Sequence, residues 1–358
     1  MNNKITNYLL RNELDYFIEQ NIRNIKYITG FKGDAGILLI DCKKNKFKFL
    51  TDFRFVEKAR EEVFDFIEIV QTKKNYYASL DKEIGTNKNL RIGFDGESTT
   101  YSIWKMLRSN FSGVTFIDLV SPGKIFRKQK KQSEIEKMKK AAEIADKAIS
   151  EVVKDICSGV TERKLAAMLE YKMRLLGAHK ASFDVMVLFG RKSAQPHGVP
   201  GNEILQKNMP ILFDFGSEVD GYCSDMTRMC WFGEDVDSDF RNIFEIVLNA
   251  QIETSKYIKA GQTGEECDLF CRKIFKNDGV EKYFGHGLGH GIGMNIHENP
   301  YLATAVEERL EVGNTVTVEP GLYFPGKFGV RIEDTVLIGE SGIESVFTKT
   351  DKNIIIIN

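Results

Sequence analysis

Apolar residues recur at helical spacing through the middle of the chain. Ile135, Met138, Ala142, Ala145, Ile149, Val152 and Val153 predict a long amphipathic helix, with Ser133 and Glu136 opening it as a capping box. A second helix is predicted from an N-cap at Thr161 to a stop at Gly177, with Leu165, Met168, Leu169 and Leu176 turned inward. Two more are expected over 239–258 and 265–275. Between and after them lie strand patterns at 183–189, 210–216, 222–232, 314–323 and 329–338. Helices segregated from antiparallel strands make this part of the chain α+β.

The first 120 or so residues follow a different pattern. Part of a helix is predicted at 14–19, strands at 35–40 and 46–51, and a helix over 52–63. Strands at 90–94 and 115–119 flank a helical stretch around 102–109. That alternation suits a smaller α/β domain. Ser121-Pro122-Gly123 then breaks the pattern, and 358 residues exceed what one core usually holds, so two domains are expected, 1–124 and 125–358. The basic run from Arg127 to Lys131 reads as a solvated linker.

Four acidic residues in the C-terminal part bracket turn signals. Folding Asp214 onto Asp225 centres a hairpin between Val219 and Asp220, beside the Asp-Gly at 220–221. Folding Glu319 onto Glu333 centres one on Gly326, within Pro325-Gly326-Lys327. Each pair then lies directly across two strands, with Cβ atoms roughly 4.5–5.5 Å apart. Carboxylates that close repel, and one imidazole cannot neutralise four of them. Two divalent cations can. His290 stands between the hairpins in FGHGLGHGIGMNIHE, where five glycines within 285–293 exclude the helix that an HExxH zinc site needs. These glycines are expected to allow unusual backbone angles and close approach to a ligand. One histidine with four carboxylates is a mostly hard donor set, suited to Mn²⁺, Co²⁺, Fe²⁺ or Zn²⁺.

Composition narrows the function. Fifty basic residues against fifty-one acidic ones leave a net charge of −1, so no overall field recruits nucleic acid or an anionic membrane. The chain lacks an apolar run long enough to span a bilayer, and its first 20 residues lack the apolar centre of a signal peptide, so a cytoplasmic location is expected. Six scattered cysteines suggest reduced, mostly buried thiols. Cys267 and Cys271 could share a helix face, but no second half-site makes them ligands.

The motifs FDFG…GYCSDMTR, GHGLGHGIG…IHE, VTVEPGLY, GVRIEDT and PHGVP resemble, in order and spacing, those of the pita-bread metallopeptidases. That family includes aminopeptidase P, prolidase and, more distantly, methionine aminopeptidase and creatinase. YITGFKGDAG and LTDFRFVEKA resemble the auxiliary N-terminal domain of the aminopeptidase P and prolidase branch, which methionine aminopeptidases lack. The resemblance implies a pita-bread catalytic domain holding two metal ions, with Mn²⁺ first in expectation. Asp214 would bind one ion, Asp225 and Glu333 both, and His290 and Glu319 the other. Glu319 would also take a proton from the attacking water. His197 and His297 would contact substrate and stabilise the oxyanion, and His286 would support the pocket. Arg331 is two residues before Glu333 and so on the same strand face, where it would orient a carboxylate or the substrate. His179 matches nothing in the family and reads as an exposed residue beyond a helix end, while Cys223 and Met226 are expected to pack behind Asp225.

The resemblance also implies a homodimer and a peptide substrate with proline second, cleaved before the proline. The activity would be that of an Xaa-Pro aminopeptidase or, in the alternative, an Xaa-Pro dipeptidase. More distant readings are a creatinase-like metal-free hydrolase and a non-catalytic peptide-binding relative. Both kinds of protein have lost metal ligands, and all five positions are intact here.

Overall fold

The computed structural model describes residues 1–73, 75–85 and 89–358. They form two compact units, Met1–Arg127 and Lys128–Asn358. Among the described residues no helix is long and apolar enough to cross a membrane.

The first unit holds a six-stranded mixed sheet. Its strands lie in the order Ile67–Gln71, Lys46–Thr51, Ile37–Asp41, Tyr16–Glu19, Arg91–Phe94, Thr115–Asp118. Tyr16–Glu19 is thus a central strand, antiparallel to one neighbour and parallel to the other, where the sequence predicted helix. Phe17, Ile18 and Glu19 are all fully buried. Pairing on both edges overrides a weak local preference. A helix that the pattern did not reveal, Ile22–Thr29, follows directly. Its signals are nonetheless present: the Asn21 side chain caps the first turn, and Gly30 ends the helix at φ +81°. The helix expected over 52–63 is shorter, Val56–Glu62.

The second unit is built on a nine-stranded sheet. Its main path runs Glu298–Leu302, Gly289–Gly291, Thr315–Val318, Glu333–Ile338, Met226–Phe232, Met209–Phe215, Met186–Phe189. The neighbours Glu333–Ile338 and Met226–Phe232 are antiparallel. On each side of that seam the chain repeats one order, a pair of helices and then antiparallel strands, so the two acidic hairpins occupy matching places in the two halves. Helices Gln132–Val152 and Glu162–Leu175 bury Ile144, Ala148, Leu165 and Leu169 with Val187, Ile211 and Phe213. Helices Ser238–Tyr257 and Gly264–Asn277 bury Phe244, Val247, Cys267 and Cys271 with Val316, Val318 and Val336. The two cysteines are therefore core residues.

Two local expectations change. The long helix begins one residue before Ser133, and Glu134 closes the box by accepting from the Lys131 N–H at 2.8 Å. Glu134 is also held by the Tyr222 hydroxyl at 2.7 Å, a long-range partner that favours it over Glu136. The Arg127–Lys131 run is no solvated linker either: Arg127 is 4% and Lys130 8% exposed. Arg127 donates to Asn24, and Lys130 pairs with Glu298.

Candidate active site

The two hairpins form, with different registers. Phe324 pairs with Phe328 and Gly321 with Arg331 across a three-residue turn that Gly326 makes at φ +78°. Val318 pairs with Asp334 in the same register, which brings Glu319 and Glu333 opposite each other at the break between the two ladders, as the turn arithmetic predicts. The other hairpin is shifted. Val219 pairs with Tyr222, so Asp220 and Gly221 alone form the loop, with φ of +50° and +81°. Such two-residue turns match the twist of the flanking strands, and that preference moves the centre by one residue. Asp214 consequently faces Thr227, not Asp225. Asp225 lies two residues before Thr227, just ahead of that strand, and reaches the site diagonally. The exposed His179 caps this turn, accepting from the Asp220 N–H at 3.1 Å.

All nine side chains named as candidates, His197, Asp214, Asp225, His286, His290, His297, Glu319, Arg331 and Glu333, line one cavity of about 460 Å³. Oxygens of Asp225 and Glu333 and a ring nitrogen of His290 lie within 4.8 Å of one another. His290 Nε2 is 3.6 Å from Asp225 Oδ2 and 3.4 Å from Glu319 Oε1. Its Nδ1 faces the Gly291 carbonyl at 3.0 Å, which assigns the proton to Nδ1 and leaves the Nε2 lone pair facing the carboxylates. The neighbouring glycines do not take unusual backbone angles. Their role is close packing: a Cβ on Gly289 would stand 2.2 Å from the Thr317 carbonyl oxygen of the adjacent strand.

The charge balance is lopsided. Burial and then the His297 ring push His290 down to about 3, so the imidazole is neutral. Arg331 is the cation among the four carboxylates, and it turns Nη2 onto Asp214. Burial, then Glu333, raises Asp225 well above the usual carboxylate range. Burial, then Glu319, does the same to Glu333, and burial raises Glu319 to about 7. Asp225 Oδ1 is buried without a hydrogen-bond partner. An orphaned carboxylate oxygen within an excess of buried negative charge is a donor set that fits divalent cations.

Around the acids runs a hydrogen-bonded chain. Arg331 donates through Nη1 to the Tyr323 hydroxyl at 2.6 Å and through Nε to Thr227 Oγ1 at 3.1 Å. Tyr323 meets His286 Nε2 at 2.8 Å, while His286 Nδ1 faces the Gly287 carbonyl at 2.7 Å. His286 therefore carries its proton on Nδ1 and accepts from the tyrosine. His297 packs edge-on against His290, ring centroids 4.3 Å apart, and both it and His197 are exposed at the mouth.

Residues 136–340 match metallopeptidase family M24, and residues 2–128 match the creatinase/prolidase N-terminal domain. The chain belongs to metallopeptidase family M24. Its M24 relatives include an uncharacterised peptidase of Bacillus subtilis, 34% identical over 99% of both chains. An Xaa-Pro dipeptidase of Pyrococcus horikoshii is 33% identical over 98% of this chain and 97% of its own. Among solved structures, an Xaa-Pro dipeptidase from Bacillus anthracis superposes with a TM-score of 0.93 at 38% identity, over 99% of this chain and 98% of that one. An X-Pro aminopeptidase from Thermotoga maritima superposes at 0.88 with 35% identity, over 96% and 98%. The protein is thus an M24 metallopeptidase, a hydrolase with the pita-bread fold.

Sequence reasoning missed three residues behind this M24 site. Thr227 donates to Glu333 Oε2 at 2.6 Å. Arg228, on the opposite face of the strand, donates to the carbonyls of Thr227 and Glu333 at 2.9 and 2.5 Å and to Asp334 at 2.7 Å. Asp334 also accepts from Gln251, Thr348 and Lys352. The available signal was adjacency: Thr227-Arg228 follows Asp225 closely, and Asp334 follows Glu333 directly.

Proposed function

We propose that the protein is a dinuclear-metal peptidase that hydrolyses the bond between an N-terminal residue and proline, an Xaa-Pro aminopeptidase. The observation that carries this reading is the single cavity that gathers Asp214, Asp225, His290, Glu319 and Glu333 with His197 and His297. The five would hold two divalent ions, with Mn²⁺ first and Co²⁺, Zn²⁺ or Fe²⁺ as alternatives. When bound, the ions would polarise the scissile carbonyl and make water acidic enough to attack at neutral pH.

The chain's own groups do the rest. Glu319, facing His290 Nε2, accepts a proton from the attacking water. His197 and His297 at the mouth donate to the oxygen that gains charge as the carbonyl is attacked. Arg331 orients Asp214, one of the five groups that would hold the ions. Arg331 is engaged by Asp214, Tyr323 and Thr227. Phe183, Met186, Pro196, Ile296 and Ala303 give the cavity an apolar part to its lining. That lining, with Arg331 already engaged, supports a peptide that continues past proline over a dipeptide's free carboxylate. The second reading, an Xaa-Pro dipeptidase, is favoured by the names of the relatives.

Turnover of Xaa-Pro and Xaa-Pro-Xaa peptides, measured with added Mn²⁺ or Co²⁺, separates the two. Higher kcat/KM on the tripeptides supports the first reading, cleavage of dipeptides alone selects the second, and activity on neither removes both. The same proposal takes residues 1–124 as an auxiliary domain, residues 125–358 as the catalytic domain, and the protein as a cytoplasmic homodimer. Light scattering at assay concentration tests the dimer.

A further inference from the structure

Lys130 and Glu298 form an ion pair at 2.8 Å whose side chains are 1% and 3% exposed, and 168 residues separate them in sequence. Lys130 Nζ also donates to the Lys128 carbonyl at 3.2 Å, and Glu298 Oε2 accepts from the Asn295 N–H at 3.3 Å. The backbone around Lys130 is itself anchored: its N–H donates to the Gly313 carbonyl at 2.8 Å, and Asn314 Nδ2 donates to the Lys128 carbonyl at 3.2 Å. Glu298 opens the strand Glu298–Leu302, whose pairing with Gly289–Gly291 shifts register beside His290. Residues 295–298 therefore form a tight loop gripped from behind by a buried cation, and its Ile296 and His297 line the cavity. Gly293 leaves the space for that grip, since a Cβ there would stand 2.6 Å from Glu298 Oε1 and 2.9 Å from Lys130 Cε.

A buried ion pair contributes little net stability over an apolar pair of the same size, so its presence here calls for another reason. With Glu298 held from behind, His297 projects into the cavity, and small displacements of such a group carry a large kinetic cost. We propose that Lys130 is a positioning residue that acts through Glu298 to fix the His297 loop against the substrate. This rests on the role given to His297 above, and the experiment keeps the two apart.

The test is a kinetic cycle of Lys130→Met, His297→Ala and the double variant in the metal-loaded full-length protein. Lys130→Met is expected to lower kcat on the order of tenfold or more with KM little changed. In the His297→Ala background it is expected to cost nothing further, because the group it positions is gone. If Lys130→Met alone does not fold, Lys130→Met with Glu298→Gln leaves no buried charge and keeps an acceptor for Asn295, and the same cycle is run with that pair. A loss that multiplies independently in both backgrounds overturns the proposal, as does a folded Lys130 variant with unchanged kcat. Full activity in His297→Ala alone overturns the role of His297 and this inference together.

Discussion

Thr227 stands opposite Glu333 across two antiparallel strands, and its hydroxyl donates to Glu333 Oε2 at 2.6 Å. Thr227 Oγ1 in turn accepts from Arg331 Nε at 3.1 Å, so one buried threonine ties a carboxylate of the site to the guanidinium that holds Asp214. Groups behind a metal ligand typically tune affinity by about 10–100-fold. Thr227→Val keeps the shape and removes the hydroxyl. Its affinity for Mn²⁺, measured by competition with a chromophoric chelator, is expected to fall within that range. Unchanged affinity means the strands alone hold Glu333.

Replacing His290 with alanine, or Asp225 with asparagine, removes a donor from the cluster that lies within 4.8 Å. Bound metal per chain is expected to drop in elemental analysis, and turnover to fall by at least about a thousandfold, a few kcal/mol of lost transition-state stabilisation. A chelator is expected to reproduce that loss in the unaltered protein, with recovery when metal is returned. Full turnover in either variant, or after chelation, would remove the metal reading.

Asp334 contributes to stability more than to chemistry. Burial pushes its carboxyl up, but Arg228 and Lys352 outweigh burial and hold it below the ordinary value of 3.8. Its folded pKa is depressed, so its contribution is present above that value and lost as the solution is acidified through the lower folded one. Asp334→Asn leaves the Arg228 guanidinium buried at 1% exposure without its counter-charge. Unfolding in urea at neutral pH is expected to show a loss of about 3–5 kcal/mol.

Glu19 should show the opposite sign. It is fully buried, and burial raises its carboxyl to about 7, with Asp95 adding to the rise and hydrogen bonds from Ser121, Asn21 and Gln20 opposing it. The folded state thus binds a proton that the unfolded chain releases near 4.5. Stability is full below that pH and declines as pH rises toward 7, by on the order of 3 kcal/mol. Glu19→Gln is expected to flatten this slope in thermal melts taken between pH 4.5 and 7. An unchanged slope in Glu19→Gln would assign the dependence to other groups.

Much of the site was legible because its chemistry is carried by short segments with distinctive turns. Pro325-Gly326-Lys327 closes the hairpin that brings Glu319 opposite Glu333, and the register follows from the turn alone. The Asp214 hairpin shows how far such reasoning reaches. The right turn was identified, but its two-residue loop moved the pairing, so Asp225 approaches diagonally. Tyr16–Glu19 failed as a helix because its state depends on the strands on either side, one of which is more than seventy residues away. The basic run at 127–131 failed for a related reason: nothing local distinguishes a solvated lysine from Lys130, whose carboxylate partner is Glu298.

Local sequence by itself determined the α+β class, the helix periods, the hairpin turns and the five candidate metal donors. Each of these depends on backbone preferences or side-chain types within a few residues. Tertiary structure alone decided which groups meet: Arg331 with Asp214, Thr227 with Glu333, Arg228 with Asp334 and Lys130 with Glu298. Those pairings arise from strand order and from burial, where a charge removed from water must find its partner wherever the folded chain brings one.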